Sequence, residues 1–338
     1  CHALVIAPNK TLAAQLYSEF KSLFPQDPVG FFISYYDYYQ PEAYMPSTDT
    51  YIAKDSSVNE DIDKMRHETT RLLFEEPRAI IVASVSCIYG LGSPESYANL
   101  MLTLTVGLKQ KRDELLKSLI QIQYNRNDSH LQRGHFRVRG DIIDILPAHE
   151  VDHGVRVEFF GDEIESLCTI DALTGRMIKE VKEVSIYPNS HYVADQKNTH
   201  TIVKQILSDL GVRLRQLKKT GKHSEMSRLE NRTMQDVEAF EQLGFCSGIE
   251  NYSRYLTGRQ PGEPPPCLLD YFPENFLTVI DESHISVPQI SGMYHGDRAR
   301  KQTLVDFGFR LPSALDNRPL NFNEFINFCN VIFFQALW

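Results

Sequence analysis

The sequence predicts an α/β protein, a doubly wound parallel sheet interrupted by inserted material. Three observations carry that reading. Short, nearly continuous apolar strands stand at His2–Pro8 (HALVIAP), Ala79–Val85 (AIIVASV) and Phe276–Ile280 (FLTVI), the pattern of strands buried on both faces. An amphipathic helix follows the first of them. Two strands lie early and one late, so the chain between them reads as an insertion. At 338 residues the chain has about two domains' worth of length, since one core seldom organises more than roughly 250 residues.

In chain order, Leu12, Ala13, Leu16, Phe20, Leu23 and Phe24 fall on one helical face. Asn9 is placed to cap this helix and Pro25 to stop it. Six of the 16 tyrosines follow (Tyr35, Tyr36, Tyr38, Tyr39, Tyr44 and Tyr51), broken by Pro41 and Pro46. Prolines at that spacing exclude a long helix and favour a protruding hairpin or looped ribbon. From Tyr124 to Tyr187 the pattern alternates, as in Phe136–Leu146 (FRVRGDIIDIL), which predicts a mostly antiparallel β module with one solvated face. Residues 198–244 read as helical and basic, with Lys204, Arg213, Arg215, Lys218, Lys219, Lys222, Arg228 and Arg232 against Asp209, Glu225 and Glu230. Gly258–Pro266 (GRQPGEPPP) reads as a hinge or linker. The expected layout is a first sheet segment over 1–94 with the hairpin at about 34–58, a β-rich domain over 95–188, a helical domain over 189–262, and a return to the sheet over 263–338.

Composition narrows the functional classes. A net charge of −9 argues against a uniformly basic nucleic-acid coat but leaves room for local basic stripes. The six cysteines lack CxxC spacing, so neither a zinc ribbon nor a disulfide framework is supported, and a reducing cytoplasmic setting is the default. No apolar run reaches the ~18 residues of a membrane span. The chain starts inside a strand at Cys1 and stops at Trp338, shortly after the apolar run Val331–Phe334, and so reads as a fragment.

Three groups of residues could carry chemistry. Asp281 and Glu282 end the third apolar strand, within Asp281–His284 (DESH). Adjacent carboxylates beyond the carboxyl end of a parallel strand suit Mg²⁺ and an attacking water in a nucleotide site; a polar turn is the plain alternative. The usual phosphate cradle, G-x-x-x-x-G-K-[ST], is absent: Gly221–Lys222 is followed by His223. Lys10, at the first helix start, cannot replace that cradle but could meet a nucleic-acid phosphate. The tyrosine cluster is the second group. Aromatic faces stack bases without regard to sequence, whereas a tyrosine-lined core or interface explains the composition equally well. The third is Arg126, Arg133, Arg137 and Arg139. Arg137 and Arg139 flank Val138 and therefore share a strand face, open either to an acidic partner or to solvent beside Asp141 and Asp144. His149 and His153 stand next to Glu150 and Asp152 with no further ligand in sequence, which favours a polar turn over zinc.

Several long words, taken in order, resemble the UvrB family of bacterial nucleotide excision repair. They are Ala7–Tyr17 (APNKTLAAQLY), Ser34–Tyr44 (SYYDYYQPEAY), Val82–Pro94 (VASVSCIYGLGSP), Val157–Glu163 (VEFFGDE), Gly244–Arg254 (GFCSGIENYSR), DESH and Arg310–Leu320 (RLPSALDNRPL). The resemblance implies a P-loop NTPase core of helicase superfamily 2, with a RecA-like parallel sheet, an inserted β-rich domain and an inserted helical subdomain. It implies damaged double-stranded DNA, UvrA and UvrC as partners, ATP and Mg²⁺ as cofactors of the full-length family, and a cytoplasmic protein without a membrane partner. Under it, Asp281 would hold Mg²⁺ through water and Glu282 would act on the attacking water. Lys10 would lie in the motif after the phosphate loop. Tyr35, Tyr36, Tyr38, Tyr39, Tyr44 and Tyr51 would form a hairpin inserted between DNA strands, with Lys54 near its base, closing on the subdomain that holds 204–232. Arg126, Arg137 and Arg139 would contact UvrA. The family pattern also places a phosphate loop before the first strand, a second helicase domain after Trp338, and Ser-Ala-Thr where this chain has Gln335–Ala336–Leu337. This chain alone is therefore expected not to hydrolyse ATP. The alternative reading is a non-catalytic UvrA-binding adaptor, as in the transcription-repair coupling factor; a generic helicase would lack the tyrosine-rich insertion and the β module.

Overall fold

The computed structural model describes residues 1–192, 199–244, 246–328 and 330–333, the last four by backbone alone. The sequence reading of Phe334–Trp338 lies outside the described residues. The chain opens with β1 (Ala3–Ala7) and α1 (Lys10–Leu23), whose Asn9 side chain accepts from the Leu12 amide at 2.9 Å as the expected cap. After β2 (Val29–Phe32) comes a two-stage hairpin. Its base pairs β3 (Tyr36–Gln40) with β6 (Asp55–Val58), and its tip pairs β4 (Ala43–Met45) with β5 (Thr50–Ile52), all antiparallel. Pro41 lies between the two ribbons, where it removes no ladder hydrogen bond. The tip turns through Asp49 at φ 48°, a left-handed position that aspartate tolerates better than most side chains.

Next stand α2 (Glu60–Glu75), β7 (Ile80–Ser84) and α3 (Pro94–Asn99). Asn59 caps α2, and Glu60, Asp61 and Asp63 fill its first turn, where carboxylates oppose the helix dipole. The β-rich region runs through β8 (Leu102–Thr105), α4 (Arg112–Gln121), β9 (Asn125–Arg126), β10 (His135–Arg139), β11 (Ile142–Leu146), β12 (His153–Phe160), β13 (Glu163–Asp171), β14 (Met177–Glu180) and β15 (Glu183–Ile186). Strands β9 to β14 form one sheet in chain order, antiparallel except that β9 runs parallel to β10. Strands β8 and β15 make a separate ribbon. The two long helices α5 (Thr199–Lys219) and α6 (His223–Leu243) follow, then the short α7 (Ser253–Leu256). The chain then returns through β16 (Leu277–Ile280), α8 (Ser283–Asp306), α9 (Phe322–Phe328) and β17 (Asn330–Phe333).

The parallel sheet has the order β17-β16-β1-β7-β2. Its central strand β1 pairs on one side with β7 and on the other with β16, so the late apolar strand closes directly against the first. Leu4, Ile6, Ile81, Ala83 and Ile280 meet in the core of this layer. Phe136, Ile143, Ile145, Val155 and Val157 form a second core with Leu115 and Leu119 of α4. Ile206, Leu210, Leu229, Val237 and Phe240 form a third, between α5 and α6. The described chain is thus a mixed α/β structure with a parallel sheet, a β-rich region and a helical pair. The expected hinge at Gly258–Pro266 is pinned in place: the Gly262 amide donates to Asp316 at 2.8 Å and its carbonyl accepts from Arg318 at 3.0 Å. No described helix is long and apolar enough to cross a membrane.

Candidate nucleic-acid interface

The tyrosines divide into a base group and a tip group. At the base, Tyr36 stacks on Tyr39 with centroids 4.8 Å apart, and Tyr35 lies against Tyr36 at 4.4 Å. The two hydroxyls of Tyr35 and Tyr36 share a hydrogen bond of 3.1 Å. Arg66, buried beneath, places its guanidinium 3.8 Å from the Phe32 ring centre and 4.8 Å from that of Tyr35, and donates to the Ile33 carbonyl. Burial pushes the Tyr35 and Tyr36 phenols upward, so both remain neutral donors.

At the tip, Tyr44 lies 4.9 and 4.8 Å from the rings of Phe307 and Phe309, and its hydroxyl donates to Asp49 at 2.6 Å. Tyr51 stacks on Phe309 at 4.6 Å with only 7° between planes. Its hydroxyl donates to Glu42 at 2.6 Å, and burial with that carboxylate raises its pKa to about 12. Glu42 is buried and also takes the Arg310 Nε at 2.8 Å, while its backbone carbonyl takes Arg300 of α8 at 2.6 Å. Arg310 is equally buried; burial disfavours its charge, but Glu42, with Asp236 at 3.5 Å, outweighs this and raises its pKa. The tip is therefore seated on a Phe307–Arg310 platform by three ring contacts, one of them a parallel stack, and one desolvated ion pair.

Of the hairpin tyrosines, Tyr38 and Tyr39 of β3 are the most exposed, at 51% and 48%, although Tyr39 has one face on Tyr36. Lys54 does not stand free. Its amine meets Glu250 at 2.7 Å, tying the hairpin to the segment after α6. Burial opposes both charges, but each partner favours the other: the Lys54 pKa rises and the Glu250 pKa falls. Lys10 donates to the Tyr36 carbonyl at 2.7 Å, so in this structure it braces the hairpin base and offers no free ammonium to a phosphate.

Sequence reasoning missed the receiving platform. The word Phe307–Gly308–Phe309–Arg310 directly precedes a segment already singled out, and its two aromatics around a glycine were the available signal. Gly308 has φ 70°, and a Cβ there would stand 2.3 Å from the Glu225 carbonyl oxygen, so only glycine lets the platform lie against α6. Glu42 carries no sequence signal, because both its partners, Arg310 and the Tyr51 hydroxyl, are set by the fold.

On the β-rich sheet the three expected partner residues differ in freedom. Arg126 is exposed and forks onto Asp128 at 2.8 and 3.0 Å. Arg139 is exposed at the strand end. Arg137 shares a face with Arg139 but is mostly buried, donating through Nε at 2.8 Å to Asp144, which also accepts Arg156 at 2.7 Å. Arg137→Ala would leave Asp144 with Arg156 alone, so a loss of partner binding in that variant would confound docking with folding. His153 opens β12 and faces Glu150 at 3.6 Å, while His149 lies partly buried near the Tyr187 ring.

Asp281 and Glu282 stand at the carboxyl end of β16, just before α8. Glu282 adopts φ 43° and its carboxylate meets His284 Nδ1 at 3.2 Å. The carboxylate pair has the donor chemistry for Mg²⁺, but no stretch of this chain supplies a phosphate cradle.

Residues 102–192 match the UvrB interaction domain, and residues 197–258 match the UvrB third helical domain. Across 324 residues, 96% of this chain, the sequence is 57% identical to the UvrABC system protein B of Nitratidesulfovibrio vulgaris strain Miyazaki F, covering 48% of that protein. The chain belongs to the UvrB family. The protein of the same name from Caldicellulosiruptor saccharolyticus is 57% identical over 333 residues, and that from Enterococcus faecalis 56%, with 98% of this chain and 50% of the relative covered in each case. The chain spans about half the length of the UvrB relatives it matches. Within the UvrB-type arrangement the interaction domain takes in β8 to β15, and the third helical domain takes in α5, α6 and α7.

Proposed function

We propose that this chain is the damage-binding part of a nucleotide excision repair subunit, holding damaged double-stranded DNA behind the tyrosine hairpin. On this reading it receives the DNA from UvrA and recruits UvrC. The observation that carries the reading is the hairpin fastened at its tip and at Lys54, with Tyr38 and Tyr39 of its base strand about half exposed. A strand held there would stack on rings without base-specific contacts, which suits recognition of distorted DNA of any sequence. The UvrB interaction domain supports UvrA as the partner, and the match to UvrABC system protein B favours this reading over a pure adaptor. Arg126 and Arg139 are exposed cations on the sheet of that domain.

The parallel sheet is read as the RecA-like half of a helicase superfamily 2 core, with ATP and Mg²⁺ as cofactors of the family. Asp281 would hold Mg²⁺ through water and Glu282 would orient a water. The absent cradle does not fit a bound triphosphate, so no hydrolytic step is derived. The purified chain is expected to show no magnesium-dependent ATP turnover, and turnover that disappears in Asp281→Ala would overturn this.

Two binding measurements test the main reading. The affinity for lesion-bearing duplex loaded by UvrA, read by fluorescence anisotropy, should weaken about 5- to 150-fold in Tyr38→Ala/Tyr39→Ala, as expected for loss of one base stack at ~1–3 kcal/mol. Unchanged DNA affinity would reject the stacking role. Titration of UvrA with Arg126→Ala/Arg139→Ala should weaken binding at least about 10-fold if these cations meet acidic groups. This pair leaves the Arg137–Asp144 bond intact, so folding is not confounded. Affinity equal to wild type would move the docking face elsewhere.

A further inference from the structure

The interaction domain and the hairpin both attach to one helix. Helix α2 begins immediately after the last hairpin strand, and its cap residue Asn59 is bonded back into the hairpin base. The Asn59 amide donates to the Tyr35 carbonyl at 2.7 Å, and its side chain donates to both Asp37 oxygens at 3.1 and 3.2 Å. In the first turn of the same helix, Asp63 accepts Arg133 of the interaction domain at 2.7 Å, and Glu60 accepts the same nitrogen. The other arm of Arg133 donates to the Ala148 carbonyl at 2.9 Å, so its guanidinium is fixed from both sides of the seam. The Arg133 and Asp63 side chains are 14% and 22% exposed, which protects the pair from solvent screening.

Further along α2 the contacts continue. Thr70 bonds His191 at 3.2 Å, and Glu75 accepts the Tyr187 hydroxyl at 3.0 Å. On its sheet side, Thr69 and Arg66 donate to the Phe31 and Ile33 carbonyls, in the chain leading to Tyr35. Arg133 also lies in the loop joining β9 to β10, which starts next to the exposed Arg126. In that loop Asp128 accepts both the Arg126 fork and the Val138 amide at 2.9 Å. A partner that takes Arg126 from Asp128 pulls on the loop that holds Arg133.

We propose that Arg133 is a positioning residue, and that α2 carries the docking of an acidic partner on the interaction domain to the base of the hairpin through the Arg133–Asp63/Glu60 bond and the Asn59–Asp37 bond. This rests on the reading above that UvrA docks at Arg126 and Arg139. A docked partner would change the opening of the hairpin without touching it, whereas a salt bridge that only fastens two domains would leave the hairpin indifferent to the partner.

The test is amide hydrogen exchange on the full chain, with and without purified UvrA, for wild type, Arg133→Gln and Asp63→Ala/Glu60→Ala. Asp63→Ala/Glu60→Ala removes both acceptors from the other side and leaves the interaction domain unaltered, so it stands in if Arg133→Gln folds poorly. In wild type, UvrA should change exchange at the hairpin amides by about fivefold or more. In either variant UvrA affinity should stay within about twofold while the hairpin response is lost. Without UvrA, both variants should already exchange faster at Tyr36–Gln40 and Asp55–Val58 than wild type, with β1 and β7 unchanged. A hairpin response equal to wild type in both variants, or no response in a wild-type chain that binds UvrA, overturns the proposal. Absence of UvrA binding by the folded wild-type chain overturns the docking reading first, and this proposal with it.

Discussion

Glu42→Ala is expected to release the hairpin tip while leaving its base paired. The substitution removes the carboxylate that holds both Arg310 and the Tyr51 hydroxyl, and leaves a buried guanidinium with Asp236 at 3.5 Å as its remaining carboxylate. Removing one member of a desolvated ion pair costs about 3–5 kcal/mol, most of it from the charge left behind. Native-state hydrogen exchange should show amides of Ala43–Met45 and Thr50–Ile52 opening by a comparable free energy. Tyr36–Gln40, held by Lys10 and the Asn59–Asp37 bond, should change little. Adding Arg310→Met should restore part of the loss, because the unpaired charge disappears. Tip protection equal to wild type in Glu42→Ala would assign closure to the Tyr44 and Tyr51 ring contacts alone.

Mild acid should destabilise the fold through the seam between α2 and the interaction domain. His67 and His191 are buried and stacked, with ring centroids 4.4 Å apart, and Thr70 and Tyr97 hydrogen-bond the pair. Burial lowers the His67 pKa from 6.5 to about 4 and drives that of His191 well below 6.5. A histidine held neutral in the native state loses nothing above the unfolded value of 6.5. As pH falls below it the unfolded chain takes a proton that the folded chain refuses, and stability drops until the folded pKa is reached. His67 alone should therefore cost about 3 kcal/mol between pH 6.5 and 4, at ~1.4 kcal/mol per pH unit. Urea unfolding between pH 7.5 and 5, run beside His67→Gln, separates the share of His67 from those of His191, His149 and His2, whose pKa values burial also lowers. His67→Gln should flatten the profile by about one proton, and an unchanged slope would place the acid sensitivity elsewhere.

Much of the scaffold was legible because it rests on local rules. The run AIIVASV could only be a strand covered on both faces, Asn9 and Pro25 bracket a helix by capping and ring geometry, and alternation through FRVRGDIIDIL fixed an antiparallel pair. The tyrosines were visible as a cluster, but composition could not divide them. Tyr44 and Tyr51 differ from Tyr38 and Tyr39 only in what lies opposite, and Phe307 and Phe309 are more than 250 residues away in sequence. Likewise Arg137 and Arg139 look equivalent in an alternating strand until Asp144 and Arg156 take up one of them. Lys10 and Lys54 stand out in sequence only as cations, whereas the Tyr36 carbonyl and Glu250 that they bond lie 26 and 196 residues away. Long-range partners of this kind leave no periodicity to detect.

The central position of β1 sets a timetable for synthesis. Ala3 pairs with Leu277, so 274 residues separate the two halves of one ladder. At ~5–20 residues per second, translation takes roughly 14–55 s to deliver the second strand after the first. For that interval one edge of the future centre of the sheet offers unpaired amides and carbonyls to whatever is nearby. The β-rich and helical modules made in the meantime have cores of their own and can fold while the sheet waits. The nascent chain is therefore most in need of a chaperone on β1 during that interval.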